Sequence, residues 1–204
     1  DDNGVLPSSV LKIKNKVYLF YIGWKPAATT RYSLITGLAY SNNNGQSFKR
    51  ISKSQILFTS NKEPYSILTA ANVVKKSKNK FLMWYVSGLI WKNKNLPLYN
   101  IKFAHSKNIK DWIQTGIAAI KLKKEERAVA RPFVIIEKNK FRMWYCYEKN
   151  KGSYNIGYAE SKNGVSWKRL DKNIKFIGPK NLWDKKMMEY PSIIQINNKK
   201  YMLY

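Results

Sequence analysis

Acidic residues are scarce in this chain, and they are placed. Twelve Asp and Glu stand against 38 Lys and Arg. Yet each of four segments leading into an apolar run carries at least one: Asp1-Asp2-Asn3-Gly4-Val5-Leu6-Pro7, Glu63-Pro64-Tyr65-Ser66, Glu125-Glu126-Arg127-Ala128-Val129-Ala130-Arg131-Pro132 and Trp183-Asp184-Lys185-Lys186-Met187-Met188-Glu189-Tyr190-Pro191. Carboxyl groups gathered in a pocket with Arg and Tyr suit glycoside chemistry, in which one acid protonates the leaving oxygen and another acts as nucleophile or base. On that reading Glu189, Asp2 and Glu126 are the candidate catalytic acids. Arg131, Tyr190, Glu63, Tyr65 and Trp24 are the candidate substrate-binding residues. An Arg beside such acids would keep one carboxylate ionised and could bind a sugar acid group. The plainer reading of each acid is an exposed loop carboxylate or a turn cap.

Other chemistries have little to stand on. With a single His there is no Ser/His/Asp triad, and neither a Gly-rich phosphate loop nor a metal-ligand spacing is present, so no metal and no cofactor is expected. His105 and Glu160 occupy the same place in repeated strands and read as structural. The lone Cys146 lies in Trp144-Tyr145-Cys146-Tyr147, where a small buried apolar role is the ordinary one.

What must bring such distant acids together is a repeat. A strand rich in aromatics recurs as Asn15-Lys16-Val17-Tyr18-Leu19-Phe20-Tyr21, Asn79-Lys80-Phe81-Leu82-Met83-Trp84-Tyr85, Asn139-Lys140-Phe141-Arg142-Met143-Trp144-Tyr145 and Lys199-Lys200-Tyr201-Met202-Leu203-Tyr204. From Val17 to Phe81, Phe141 and Tyr201 the intervals are 64, 60 and 60 residues. A second strand follows the first three, as in Ile156-Gly157-Tyr158-Ala159-Glu160-Ser161, and runs through a turn to an aromatic residue, as in Asn163-Gly164-Val165-Ser166-Trp167. A shorter apolar strand precedes each. Four-stranded units at this period read as blades of an all-β propeller, with three full blades and part of a fourth. The approximate blade ranges are 5–52, 66–116, 130–171 and 187–204, in a single domain. Alignment by these strands puts Leu6, Ala70, Arg131 and Tyr190 at one radius. Because the chain starts without Met and stops inside an apolar strand, the expectation is a piece of a longer ring.

Within strands, Trp84, Trp144 and their Tyr neighbours alternate as inter-blade packing would. Trp24, Trp91 and Trp183 lie in loops, where one or more could stack on a sugar ring. The formal charge of +26 would ordinarily point to nucleic acid. Here the cations are mostly Lys, with six Arg, and many sit in hairpin turns, which reads as a solvated rim rather than a specific nucleic-acid surface. The charge does favour an acidic sugar or anionic glycan by attraction over several ångströms. No run of about 18 apolar residues is present, so no membrane span is expected. With no secretory signal at the start, the reading is cytoplasmic.

The signature Met-Trp-Tyr followed by Ile-Gly-Tyr-Ala-Glu-Ser-Lys-Asn-Gly-Val-Ser-Trp resembles the repeat of the five-bladed β-propeller glycosidase superfamily. That group includes arabinanase-like and invertase-like glycoside hydrolases and the mannoside phosphorylases. The segments Asp1 to Ser8, Tyr18 to Trp24, Ala130-Arg131-Pro132 and Met188-Glu189-Tyr190-Pro191 look closer still to an uncharacterised bacterial, glycosidase-like branch. The resemblance implies five blades when complete. It also implies an Asp, a second Asp and a Glu on the inner strands of the first three, but Thr69-Ala70-Ala71-Asn72 and Arg131 stand where two of these would fall. Three readings follow. The first is a carbohydrate-active propeller, a glycoside hydrolase acting on an oligosaccharide or polysaccharide of bacterial origin. The others are a non-catalytic glycan-binding propeller and a polyanion-binding surface protein.

Overall fold

A computed structural model describes residues 3–149, 153–174 and 186–204. Asp1, Asp2, Trp183 and Asp184 of the sequence candidates lie outside the described residues. Strands β1 (Val5–Ile13), β2 (Lys16–Lys25), β3 (Ser33–Ser41) and β4 (Lys49–Arg50) form an antiparallel sheet in chain order. The pattern repeats in β5 (Leu68–Ser77), β6 (Lys80–Asn93), β7 (Leu96–Ser106) and β8 (Ile113–Ile120). It repeats again in β9 (Glu126–Glu137), β10 (Lys140–Lys149), β11 (Tyr154–Ser161) and β12 (Lys168–Arg169). A hairpin of β13 (Ser192–Ile196) and β14 (Lys199–Leu203) begins a fourth unit. The first strand of every unit borders one channel of about 670 Å³, so the units are blades arranged about an axis and the fold is a β-propeller.

Local chemistry explains why each blade folds alike. The inner hairpins turn on Lys14-Asn15, Lys78-Asn79, Lys138-Asn139 and Asn197-Asn198. In the last two pairs both residues have positive φ, the geometry whose twist suits a two-residue hairpin. Further out, a Ser and an Asn two residues on organise the turn before the outer strand. The Ser161 hydroxyl accepts the Asn163 and Gly164 N–H groups at 3.2 and 2.9 Å, and Asn163 Oδ1 accepts the next two, at 2.9 Å each. Ser41 with Asn43 and Ser106 with Asn108 make the same Asx-type turn.

Blades pack face to face through the aromatic strands. Phe20 and Leu38 of the first blade meet Leu68, Val73 and Met83 of the second. Trp84 of the second meets Phe141 and Trp167 of the third, with centroids 5.9 and 5.7 Å away. Fully buried Trp84 donates Nε1–H to the Gly164 carbonyl at 2.8 Å, which satisfies its polar tip. Trp144 instead packs within its own blade, 5.2 Å from Tyr158.

Strand pairing corrects the alignment at two points. Met143 faces Val134 and Met202 faces Ile193, an interval of 59 rather than 60, so Lys200 and not Tyr201 takes the place of Phe141. In the first blade Leu6 faces Ile22, as Thr69 faces Val86 and Ala130 faces Cys146, so Pro7 and not Leu6 is the counterpart of Ala70 and Arg131. The second slip comes from the extra register shift between Lys75 and Ser77 in the second blade, whereas β13 and β14 pair without one.

Candidate functional site at the axial mouth

The first strand of each of the three full blades carries a register shift just inside its start: between Pro7 and Ser9, between Thr69 and Asn72, and between Ala130 and Phe133. A bulge bends the strand and re-aims a side chain. At the same step Ala70, Arg131 and Tyr190 adopt φ of 50°, 50° and 62°, a left-handed conformation that residues with a Cβ seldom hold. These three residues line both the axial channel and a second cavity of about 300 Å³ at its mouth. Strain of this kind clusters at binding and catalytic sites.

Arg131 lies with its guanidinium carbon 4.4 Å from the Tyr190 ring centroid, and its Nη1 donates to the Pro7 carbonyl at 3.0 Å. Burial lowers the Arg131 pKa against the opposing pull of Tyr190, Cys146 and Glu189. The Tyr190 N–H donates to Cys146 Sγ at 3.0 Å, which ties the fourth unit to the third. Burial pushes the Cys146 thiol up to about 12, which disfavours the thiolate form. Glu189, one residue before Tyr190, has its carboxyl raised chiefly by burial. The Tyr190 hydroxyl and Arg131 oppose that rise and the Glu148 charge adds to it.

The outer wall comes from strand ends. Arg127 forms an ion pair with Glu148, which is buried at the end of β10. The Tyr99 and Tyr154 hydroxyls meet across the second and third blades, and burial pushes Tyr99 up to about 12. Trp24 packs edge-on against Tyr32 at 5.0 Å, and Tyr32 packs likewise against Trp91 at 5.3 Å. Exposed Arg31 completes the rim.

Of the sequence candidates, Arg131, Tyr190 and Trp24 line this cavity, and Glu189 is linked to it through its interactions with Tyr190 and Arg131. Asp2 lies outside the described residues. Glu126 does not join them. Strand alternation sends Arg127 to the cavity and Glu126 to the opposite face, where Arg169 grips both its oxygens at 2.7 and 2.8 Å. Glu63 is sealed in the second blade, accepting from Tyr85, Ser87 and Gln114, with Lys102 Nζ at 3.5 Å. Tyr65 packs on the backbone of Gly88 rather than lining the cavity. Lys102 explains Glu63. Opposite the tyrosine of the second strand (Tyr21, Tyr85, Tyr145) the first and third blades have Gly37 and Gly157, whereas the second has Lys102, buried and in need of a counter-charge.

Residue-by-residue reading missed Glu148, Arg127, Arg31, Tyr99 and Tyr154. The signal for the first lay in hairpin geometry. The exit of β10 returns beside the start of β9, with Glu148 opposite Ala128, so an acid closing the aromatic strand belongs with the lead-in segments. Among the described residues no three His, Cys, Asp or Glu side chains gather to hold a metal ion. No helix there is long and apolar enough to cross a membrane.

No family model matches the chain. It is 28% identical over 207 residues to an uncharacterized protein of Mycobacterium tuberculosis, an alignment covering 100% of this chain and 67% of that protein. It is 37% identical over 95 residues to a beta-1,2-mannobiose phosphorylase of a Thermoanaerobacter species, covering 39% of this chain and 30% of that one. Among solved structures, a glycoside hydrolase superposes with a TM-score of 0.74 at 17% identity, over 98% of this chain and 64% of its own. A GH32 beta-fructofuranosidase of Bombyx mori superposes with a TM-score of 0.71 at 15% identity, over 95% and 41%. The chain thus spans about two thirds of the length of the relatives it matches throughout. Its fold is that of the propeller-type glycoside hydrolases.

Proposed function

We propose that this chain forms the sugar site of a glycoside hydrolase acting on a bacterial glycan, with Glu189 as the general acid. The observation that carries the reading is that the Glu189 carboxyl, raised by burial, interacts with Tyr190 and Arg131, the two residues that line the mouth of the axis. A carboxylic acid that holds its proton to higher pH is what protonation of a leaving glycosidic oxygen needs. Glu148, ion-paired with Arg127, supplies a charged counterpart from the third blade, and Asp2 is the further candidate from the sequence. Trp24 and Tyr190 offer faces for a sugar ring, and the position is cytoplasmic on the sequence reading.

The test is hydrolysis of a glycan panel by the full-length protein and its Glu189→Gln variant. A loss of roughly 10²–10⁴-fold is expected from removing a general acid. Equal turnover by both proteins would remove Glu189 from catalysis.

A second reading, a propeller that binds glycans without cleaving them, is favoured by one feature. Glu63 and Glu126 are consumed by buried partners away from the cavity, and Glu148 is tied to Arg127. Saturable glycan binding with no product from any member of the panel would establish it.

A further inference from the structure

Three of the chain's six arginines, Arg31, Arg127 and Arg131, line the one cavity at the axial mouth. Arg127 is neutralised by Glu148. Neither Arg31 nor Arg131 has an ion-pair partner among the described residues. Arg131 is the more telling of the two. It is partly buried, its pKa is lowered by that burial, and one of its five N–H donors is engaged, by the Pro7 carbonyl. The nearest acid to influence it, Glu189, is itself biased by burial toward its neutral form. A half-desolvated guanidinium, braced from one side by the Tyr190 ring and with unspent donors, is a site prepared for an anion.

The rest of the cavity says what carries that anion. At about 300 Å³ it exceeds what a small free ion fills, and Trp24 and Tyr32 give it aromatic faces of the kind on which a sugar ring packs. A planar fork of N–H donors matches a planar carboxylate in two parallel bonds. We propose that the cavity takes a carboxylate-bearing sugar, a uronic-acid-type unit of a glycan, with its carboxylate on Arg131 and Arg31 drawing it in at the rim. The inference rests on the reading of this mouth as a sugar site and adds the class of sugar.

The test compares binding of uronic-acid oligosaccharides with that of the same oligosaccharides after carboxyl reduction, by calorimetry on the full-length protein. The acidic form is expected to bind roughly tenfold or more tightly at low salt, the scale of a charge-assisted pair. Arg131→Gln should bring that ratio to near one. Arg31→Gln, at an exposed position that does not endanger folding, should lower it by a smaller factor and flatten its salt dependence. Equal binding of acidic and reduced forms overturns the acidic class while the sugar reading stands. Binding of neither form overturns both. Inorganic phosphate binding in an Arg131-dependent way, with no preference for the acidic sugar, assigns the arginines to phosphate and overturns the inference.

Discussion

Arg131 in β9 and Tyr190 just before β13 occupy the same step of successive repeats, and the guanidinium of one lies 4.4 Å from the ring centre of the other. Both hold left-handed backbone there, and Glu189 sits one residue before the second. The contact couples the charge of one blade to the acid of the next.

That coupling predicts a pH signature. A general acid works only while protonated, and the Glu189 pKa is raised, so the alkaline limb of kcat/KM should lie above the usual carboxylate range. Arg131 lowers the Glu189 pKa, so Arg131→Gln should move this limb to still higher pH. A limb that stays put or moves down would disconnect Glu189 from the rate.

Glu63 and Lys102 should prove interdependent. Glu63→Gln leaves a buried lysine without its counter-charge and should cost roughly 3–5 kcal/mol of unfolding free energy in urea titrations. Adding Lys102→Met should recover part of that loss, since the two residues share one interaction. Strictly additive losses would show that the buried pair is not what holds them.

Glu126 divides a structural role from a chemical one. Its fork with Arg169 predicts that Glu126→Gln lowers the melting temperature while glycan affinity at the axial mouth changes less than about twofold. Retained stability with lost turnover would instead return Glu126 to the catalytic list.

Asp171 predicts how acid loosens the third blade. Its burial favours the neutral form, but Lys123, Tyr145 and Arg169 together hold its pKa below the ordinary value. A depressed folded-state pKa contributes stability that is present above the unfolded value and is lost as pH falls through the folded one. The stability gap between the parent protein and Asp171→Asn should therefore be widest near neutrality and narrow below about pH 4. A gap constant down to pH 2 would contradict this.

Gly157 tests the packing of the repeat. A Cβ there would lie 2.6 Å from the Tyr145 ring and 2.9 Å from Asp171 Oδ1, with little room for either to move. Gly157→Ala should destabilise by about 1–3 kcal/mol, read as a lower urea midpoint. An unchanged midpoint would mean the tyrosine ring moves freely.

The fold was legible because it is written several times over. Aromatic strands, Ser-x-Asn turns and Lys-Asn hairpins each have a local cause, and their recurrence signals blades more strongly than any one copy. The site was legible where it hangs on a repeated step, as with Arg131, Tyr190 and Glu189. It was illegible where a side chain's direction depends on strand parity. Glu126 and Arg127 are neighbours in sequence and point to opposite faces, so proximity to a lead-in segment did not say which one reaches the cavity. Glu148 was hidden because it closes a strand instead of opening one. Glu63 looked like a rim acid because the buried Lys102 that claims it lies 39 positions further along the chain.

The bulge shared by the inner strands has a wider consequence. It puts Arg131 on the inner rim, with Tyr190 at the matching left-handed step before β13, while the large contacts between the second and third blades lie elsewhere, among residues such as Trp84, Phe141 and Met143. Ligand preference and architecture are thereby written in separate places. A descendant of this scaffold can change Arg131 or Tyr190 and acquire a new taste in sugars without having to learn to fold again.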